Sequence, residues 1–411
     1  MNNIAVAGAG IVGICSAYFL QKAGFQVTLI DKEEPGTMTS YGHACTFADY
    51  ASIPVNSPNL FRDIPIMLLK KDAPLAIDFF HVLKNLSWSI DFLKNCRKDK
   101  VEYISQSLGG ILQHANIFYD KIFKEVDVKK YIKKEEALYL YETRKAYEQA
   151  KPITIQRQKN GVNVKEMTKE DIKDLEPNLA SVYYKGEIFF GSRHTTNPLA
   201  ISKKIFESFI DYGGVFVKKK ITNVQHSETA ITISYGVEST IFDKFIVCAG
   251  AWSNIIANYI GDNFPLDTER GYHVLFDNKD KLINRPIGWS EFGFYLIQIE
   301  EGIRAAGTVE IAGLNKKPNI KRIKMIEKQA RKILPSLRNV KKDWMGFRPT
   351  LPDSLPVIGH SLLNNRIIYA FGHQHIGWTL AAVTGNIVEN LVKDQQPNID
   401  IKAFNPNRFN K

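Results

Sequence analysis

Three glycines at a fixed spacing, Gly8-x-Gly10-x-x-Gly13, followed by an acid at Asp31, are the first residues in the chain with a definite chemistry. That chemistry is the capture of a dinucleotide's pyrophosphate. The first glycine of such a set permits a tight turn, the second lets the backbone come up against the phosphates, and the third packs a helix onto a strand. The phosphates then meet unpaired N–H groups at the positive end of the helix, where Ala9, Ile11 and Val12 complete the turn. Asp31 follows Gly13 by 18 residues, so its carboxylate can accept both ribose hydroxyls, which disfavours a 2′-phosphate and hence NADP. Near the other end of the chain, Gly372-His373-Gln374-His375-Ile376-Gly377 makes a second glycine-containing turn that opens a helix. Backbone donors of that kind can stabilise negative charge on the pyrimidine side of a reduced flavin, which a nicotinamide does not require. The two turns together favour FAD over NAD.

These turns need particular elements around them. Asn3 to Ala7 is an apolar run suited to a strand buried on both faces. Ile11 to Ala23 gives a helix closed by Gly24, and Gln26 to Asp31 a second strand. Residues 35–60, rich in Pro, Gly, Ser and Thr, read as loop. Residues 72–150 read as mostly helical, with Phe79, Phe80, Trp88 and Phe92 on a core-facing stripe. A helix is expected from Asn197 to Tyr212, then strands in VFVKKKITNV, AITISY and DKFIVCAG. FYLIQI and IRAAGTV form a hairpin turning at Glu300-Glu301-Gly302. A basic helix over 320–334 stops at Pro335, and the chain closes with strand IIYAFG and a helix from Trp378 to Val392.

At 411 residues the chain has room for two domains, and 44% hydrophobic residues can fill both cores. The net charge of +11 raises three options: nucleic acid, an anionic membrane surface or an acidic substrate. The basic runs, Lys218-Lys219-Lys220 and Lys341-Lys342, are short and lack interleaved aromatics, so they read as solvated surface and no nucleic-acid partner is expected. A peripheral contact with the inner face of a membrane stays open. Cys15, Cys45, Cys96 and Cys248 show no metal-ligand spacing, no disulfide framework is implied, and no metal is expected. Such cysteines suit a reducing cytoplasm. The uncharged stretch 4–20 is barely long enough to span a bilayer and lacks a preceding basic residue, so it reads as the cofactor unit rather than a leader or span.

The segments GAGIVG with Asp31-Lys32, Gly42-His43-Ala44, TTNPLAISKKIFESFIDYGGVF, IVCAGAWS, RGYHV, GIRAAGTVE, GFRPTLPDSLPVIG and AFGHQHIGWT together run through nearly the whole chain. In them the sequence resembles the D-amino acid oxidase superfamily of flavoproteins, particularly its bacterial D-amino acid dehydrogenase branch. The resemblance implies an α/β fold: a Rossmann-like FAD-binding domain (1–50, 185–260 and 341–411) and an α+β substrate domain with a mixed or antiparallel sheet (51–184 and 261–340). It implies that Gly8 to Gly13 and Asp31-Lys32 hold the ADP half of FAD. Ser40, His43 and Ala44 would lie beside the flavin, Ile221 would cradle the adenine through its backbone, and Ala249, Gly250 and Trp252 would line the dinucleotide path. Gly372, His373, Gly377, Trp378 and Thr379 would close over the isoalloxazine. Arg348 matches the family arginine that pairs with the substrate carboxylate, where a planar guanidinium makes two parallel bonds. Tyr272 and His273 fall where the family places substrate-pocket side chains; the remaining histidines, His375 among them, read as structural.

Two departures stand out. His43-Ala44-Cys45 replaces the family's usual Asn-Ala-Gly, and no cysteine precedes the Arg348 segment as in sarcosine oxidases, so the FAD is expected to be non-covalent. The implied reaction is hydride transfer from the substrate Cα to flavin N5, giving an imine and then a 2-oxo acid and ammonia. The substrate would be a small D-amino acid, with cyclic D-proline-like or hydroxyproline-like acids in view. The electrons would pass to a quinone, a carrier or oxygen. A glycine- or sarcosine-type amine oxidase and a tRNA-modifying flavoprotein remain as alternatives.

Overall fold

Asn3–Ala7 (β1) lies at the heart of the computed structural model, which describes residues 2–58, 74–278 and 280–409. It is an apolar strand with no solvent face. Ile4 and Val6 pack on one side of its sheet, while Ala5 and Ala7 pack on the other. β1 pairs in parallel with Gln26–Asp31 (β2) and with Lys244–Val247. The full six-stranded order is Val215–Lys218, β2, β1, Lys244–Val247, Ile367–Phe371 and Val357–His360, only the last pairing being antiparallel. Three distant stretches of chain therefore build one sheet.

Helix Ile11–Lys22 (α1) and the closing helix Gly377–Val392 cover one face. They approach closely because Gly385 has no side chain: a Cβ there would sit 2.8 Å from the Cys15 carbonyl carbon and oxygen. The other face carries helix Ser253–Ile260 and a meander of Asn223–His226, Ile231–Tyr235 and Glu238–Phe242.

A nine-stranded mixed sheet forms the second layer system. Its functional half runs Val340–Thr350, Asp267–Phe276, Gly302–Ile311, Phe294–Ile299, all antiparallel. Lys185–Phe189 and Val340–Thr350, which the expected boundaries group with the cofactor, hydrogen-bond within this larger sheet. The basic helix Ile320–Ile333 lays Ile323, Ile326, Ala330 and Ile333 on one face of the sheet, against Tyr272, Val274 and Phe276.

Several sequence expectations need correction. VFVKKKITNV is not one strand. Val215–Lys218 forms the edge of the parallel sheet and Asn223–His226 joins the meander, the chain leaving one sheet for the other at the solvated lysines between them. The helical stretch is interrupted by strands Leu75–Ile77 and Ala137–Tyr141, the latter reading apolar throughout and buried against neighbouring strands on both sides. Trp88 is buried and stacks on Phe92, but Phe79 and Phe80 are 68% and 76% exposed rather than core. Their helix, Phe79–Lys84, buries no residue and is held by polar ties: Asp78 caps it, and His81 Nε2 lies 2.8 Å from Asp267 Oδ2. Within the expected loop, Thr39–Gly42 is a helical turn and Thr46–Phe47 pairs with Arg193–Thr195. Residues 59 and 60 of that loop, and 72 and 73 at the start of the helical stretch, lie outside the described residues.

Candidate active site

The glycine turn has the shape its spacing predicts. Gly8 adopts φ +104°, and a Cβ there would fall 2.4 Å from the Cys248 carbonyl oxygen, so both conformation and space demand glycine. A Cβ on Gly13 would meet the Gly8 carbonyl oxygen at 1.8 Å, which fixes the helix against the turn. Gly10 differs: its Cβ would meet only Ser40 Oγ, at 3.5 Å. That position faces open space, as a backbone approached by a pyrophosphate must. The Asp31 carboxylate accepts from Ala9 N at 2.6 Å and from Glu33 N at 3.0 Å, and Ser40 Oγ accepts from Ile11 N at 2.9 Å. Thus Ala9, Ile11, Asp31 and Ser40 are drawn together around the N-terminus of α1, which carries no side-chain cap. Lys32 Nζ lies 5.5 Å from the Trp252 ring centre, which in turn packs on Phe347. Ala249 and Gly250 follow the Lys244–Val247 strand beside this turn, and Ile221 packs into the same apolar cluster as Ala249.

The loop His43-Ala44-Cys45 sits between the two sheets. Arg304, fully buried, donates from Nη1 to the carbonyls of Tyr41 at 2.7 Å and His43 at 3.2 Å, and lies 3.5 Å from Cys45 Sγ. Cys45 takes φ +59°, the conformation that the family's glycine at this position would favour, so the departure from Asn-Ala-Gly preserves the backbone path at some cost in strain. His43 Nδ1 accepts from Cys45 N at 2.9 Å, which puts its proton on Nε2. That Nε2 is buried and has no protein partner. Burial, aided by the charge of Arg304, holds the His43 pKa well below 6.5, so this N–H belongs to a neutral ring. Trp378 stacks on His43 at 4.4 Å, and its buried indole N–H is also unpartnered. Thr379 Oγ1 accepts from Ala48 N at 2.9 Å, tying the final helix to the same loop. Gly372 turns at φ +82°, and Gly377 opens the helix. The His373 side chain points elsewhere: Nε2 meets Thr384 Oγ1 at 3.0 Å inside the protein, leaving only its backbone for a cofactor.

Adjacent residues on a strand face opposite ways, and Tyr272 and His273 are adjacent. Tyr272 lies on the helix side, donating its hydroxyl to Glu310 and accepting from Asn319 N at 3.1 Å. The structure does not bring it to the cofactor side. His273 does face that side. Its Nδ1 donates to the Gly42 carbonyl at 3.0 Å, but Trp344 stacks over the ring at 5.2 Å and seals it. Burial lowers its pKa to about 3, so the ring is neutral.

Arg348 shares that face and remains half-accessible. Its guanidinium lies flat over Gly271, where a Cβ would stand 2.4 Å from Nη2, and Nη1 donates to the Thr308 carbonyl at 2.8 Å. Its cross-strand neighbour is Glu269, buried, whose Oε1 accepts from Gln374 at 3.1 Å while Oε2 is unpartnered. Burial pushes the Glu269 pKa up and the Arg348 charge opposes it. The sequence reading missed Glu269, and it treated His375 as a packed structural histidine. His375 is instead exposed, between the buried Gln374 and Ile376. The only sequence signal was its place inside the Gly372–Gly377 turn.

The residues fit FAD. The glycine turn with an acid at its rim is matched by a second turn at Gly372–Gly377 and by two orphaned neutral donors, His43 Nε2 and the Trp378 indole N–H, which stack on each other. Among the described residues no group of side chains is arranged for a metal ion, and no helix is long and apolar enough to cross a membrane.

Known proteins agree with this geometry. The family model for DAO, FAD dependent oxidoreductase, matches residues 3–391. The chain is 32% identical over 416 aligned positions to a D-amino-acid oxidase of Bradyrhizobium diazoefficiens, covering 99% of each. It is 25% identical to a D-amino acid dehydrogenase of Vibrio vulnificus, covering 95% of this chain and 96% of that one. Among solved structures, glycine oxidase from Geobacillus kaustophilus superposes with a TM-score of 0.77 at 15% identity, each chain covered in full. L-proline dehydrogenase from P. horikoshii does so at 0.76 and 18% identity, covering 99% and 97%. These last two speak for the fold alone. A glycine turn built for pyrophosphate, a second turn at the far end of the chain and a match over nearly its whole length have one reading: the chain is an FAD-dependent oxidoreductase and belongs to the DAO family.

Proposed function

We propose that the enzyme oxidises a small D-amino acid at the carbon bearing nitrogen, giving an imine that water converts to a 2-oxo acid and ammonia. The observation that carries this is Arg348: a partly accessible guanidinium laid over Gly271, on the sheet face that also carries Glu269 and His273. A carboxylate there makes charge-assisted bonds in a fixed plane, which orients the neighbouring Cα–H. The names of the relatives support the D-amino acid class. Bound FAD, held non-covalently, supplies the two-electron acceptor. Gly8, Gly10, Gly13 and Asp31 hold its ADP half, and the His43 and Trp378 N–H groups serve as donors to its ring system. Tyr272 acts from behind the strand that carries Gly271, and His273, sealed under Trp344 on the near side, ties that strand to Gly42. No group near Arg348 is a strong base, so the amine is read as reacting in its neutral form.

Anaerobic mixing with D-amino acids (D-proline included), L-amino acids, glycine and sarcosine, followed by loss of flavin absorbance, tests the substrate class. Repeating turnover with oxygen, a quinone and a dye separates the acceptors. Arg348→Ala should raise KM by about 100-fold or more, as expected for losing a charge-assisted pair, while bound FAD stays stoichiometric. An unchanged KM would remove Arg348 from the site.

A further inference from the structure

We propose that the helices Phe79–Lys84 and Leu86–Lys94, with the lysine-bearing loop 314–321 beside them, dock on an anionic lipid bilayer. The proposal stands apart from the substrate reading of Arg348. Phe79, Leu83, Leu86 and Ile90 recur at helical spacing, Phe80 flanks them, and all five side chains are exposed. The inward stripe is a separate one, made by the buried Trp88 stacked on Phe92.

The fold does not need the outward stripe. Phe79–Lys84 buries no residue and is fixed by polar ties. Asp78 Oδ1 accepts from His81 N at 2.8 Å, and Asp78 N donates to the Ile311 carbonyl at 2.8 Å. The His81 ring lies 2.8 Å from Asp267 and also touches the neighbouring loop, where a Cβ on Gly313 would stand 2.7 Å from its Cε1. Polar side chains at the five outward positions would serve such a helix equally well. Clustered apolar ones mark a contact surface.

Charge chooses the partner. The acids of this region are already engaged: Asp78 pairs with Lys316, Asp91 with Lys94 and Asp99 with Arg97. Lys84, Lys98, Lys100, Lys317 and Lys321 are exposed and have no acidic partner among the described residues. Apolar side chains on one face with lysines around them are the make-up of helices that lie at the headgroup boundary. A second copy of the chain fits poorly, because a symmetric contact would set the same lysines against each other. A peptide held in a groove fits poorly too. Phe79 and Phe80, exposed by two thirds or more, project from the surface and suit a partner that yields, as a bilayer does.

The test is co-sedimentation of the FAD-loaded enzyme with vesicles of phosphatidylcholine alone, or with about one third phosphatidylglycerol added. Wild type should bind the anionic vesicles at least about tenfold more tightly, and added salt should weaken that binding. Phe79→Ser/Phe80→Ser should lose about tenfold or more, through the apolar contact. Lys98→Gln/Lys317→Gln should lose about tenfold or more as well, and its remaining binding should respond less to salt. Both variants should keep Tm and bound FAD, since none of the four residues is buried. A wild type that ignores anionic vesicles, or binds neutral ones equally well, overturns the proposal. So does wild-type binding by either variant, and each variant decides alone should the other fold poorly. A wild-type dimer that the phenylalanine variant dissolves would show that a second copy covers this face, and would overturn it too.

Discussion

At the scale of single residues, the site depends on side chains that lie flat and on the glycines that let them. Arg348 crosses Gly271, and Trp344 crosses Gly42 and Gly346, where a Cβ would come within 2.0 Å of its ring. Gly271→Ala should therefore displace the guanidinium without disturbing the strand, since the obstacle is the far end of a side chain. KM should rise by about tenfold while Tm and FAD content hold; equal KM values would show that the guanidinium is not placed by this glycine. In the sequence Gly271 looked like part of a family signature, and its reason appears only with the strand opposite. His375 was illegible for a related cause. Among four histidines in GYHV, GHAC and GHQH, only geometry separates the exposed His375 from those that are sealed.

Among the elements, those with local signals were legible and those defined by distant partners were not. α1, β1 and β2 follow from apolar runs closed by glycines, and the helix after Asn197 from its cap, which accepts from Ala200 N at 2.9 Å. The fate of VFVKKKITNV depends on which sheet each half can join, and nothing within ten residues states that. The pairing of Val340–Thr350 with Asp267–Phe276, which brings Arg348 beside Glu269, spans some seventy residues and leaves no periodic trace. The contact of α1 with the closing helix is a third such case. Gly385→Ala would force a Cβ against the Cys15 backbone, which cannot swing aside. The cost is that of overpacking, about 1–3 kcal/mol, and it falls on the helix whose N-terminus is proposed to receive the pyrophosphate. Lower Tm and faster FAD release should appear together; a lower Tm with unchanged FAD affinity would uncouple the helix pair from the cofactor.

Across the whole molecule, several histidines are folded away as neutral rings, and this sets the enzyme's behaviour in acid. His273 and His373 are buried with pKa values drawn down to about 3, and His194, near the Glu135 carbonyl, to about 4, burial being the main cause each time. In the unfolded chain they titrate near 6.5. Between pH 6.5 and 4 the unfolded state holds protons on these residues that the native state refuses, so the slope of stability with pH is positive. Their contribution is fully present above pH 6.5 and shrinks as pH falls, each ring removing up to about 1.4 kcal/mol per pH unit. Their burial, and so their neutrality, could not be read from the sequence, which shows the histidines but not which of them the fold encloses. Tm measured with excess FAD from pH 7.5 to 4.5 should fall steeply below 6.5. His373→Gln should start lower at neutral pH, having lost the bond to Thr384, but should fall less steeply. Parallel curves for the two proteins would mean that the fold does not hold the His373 ring neutral over this range.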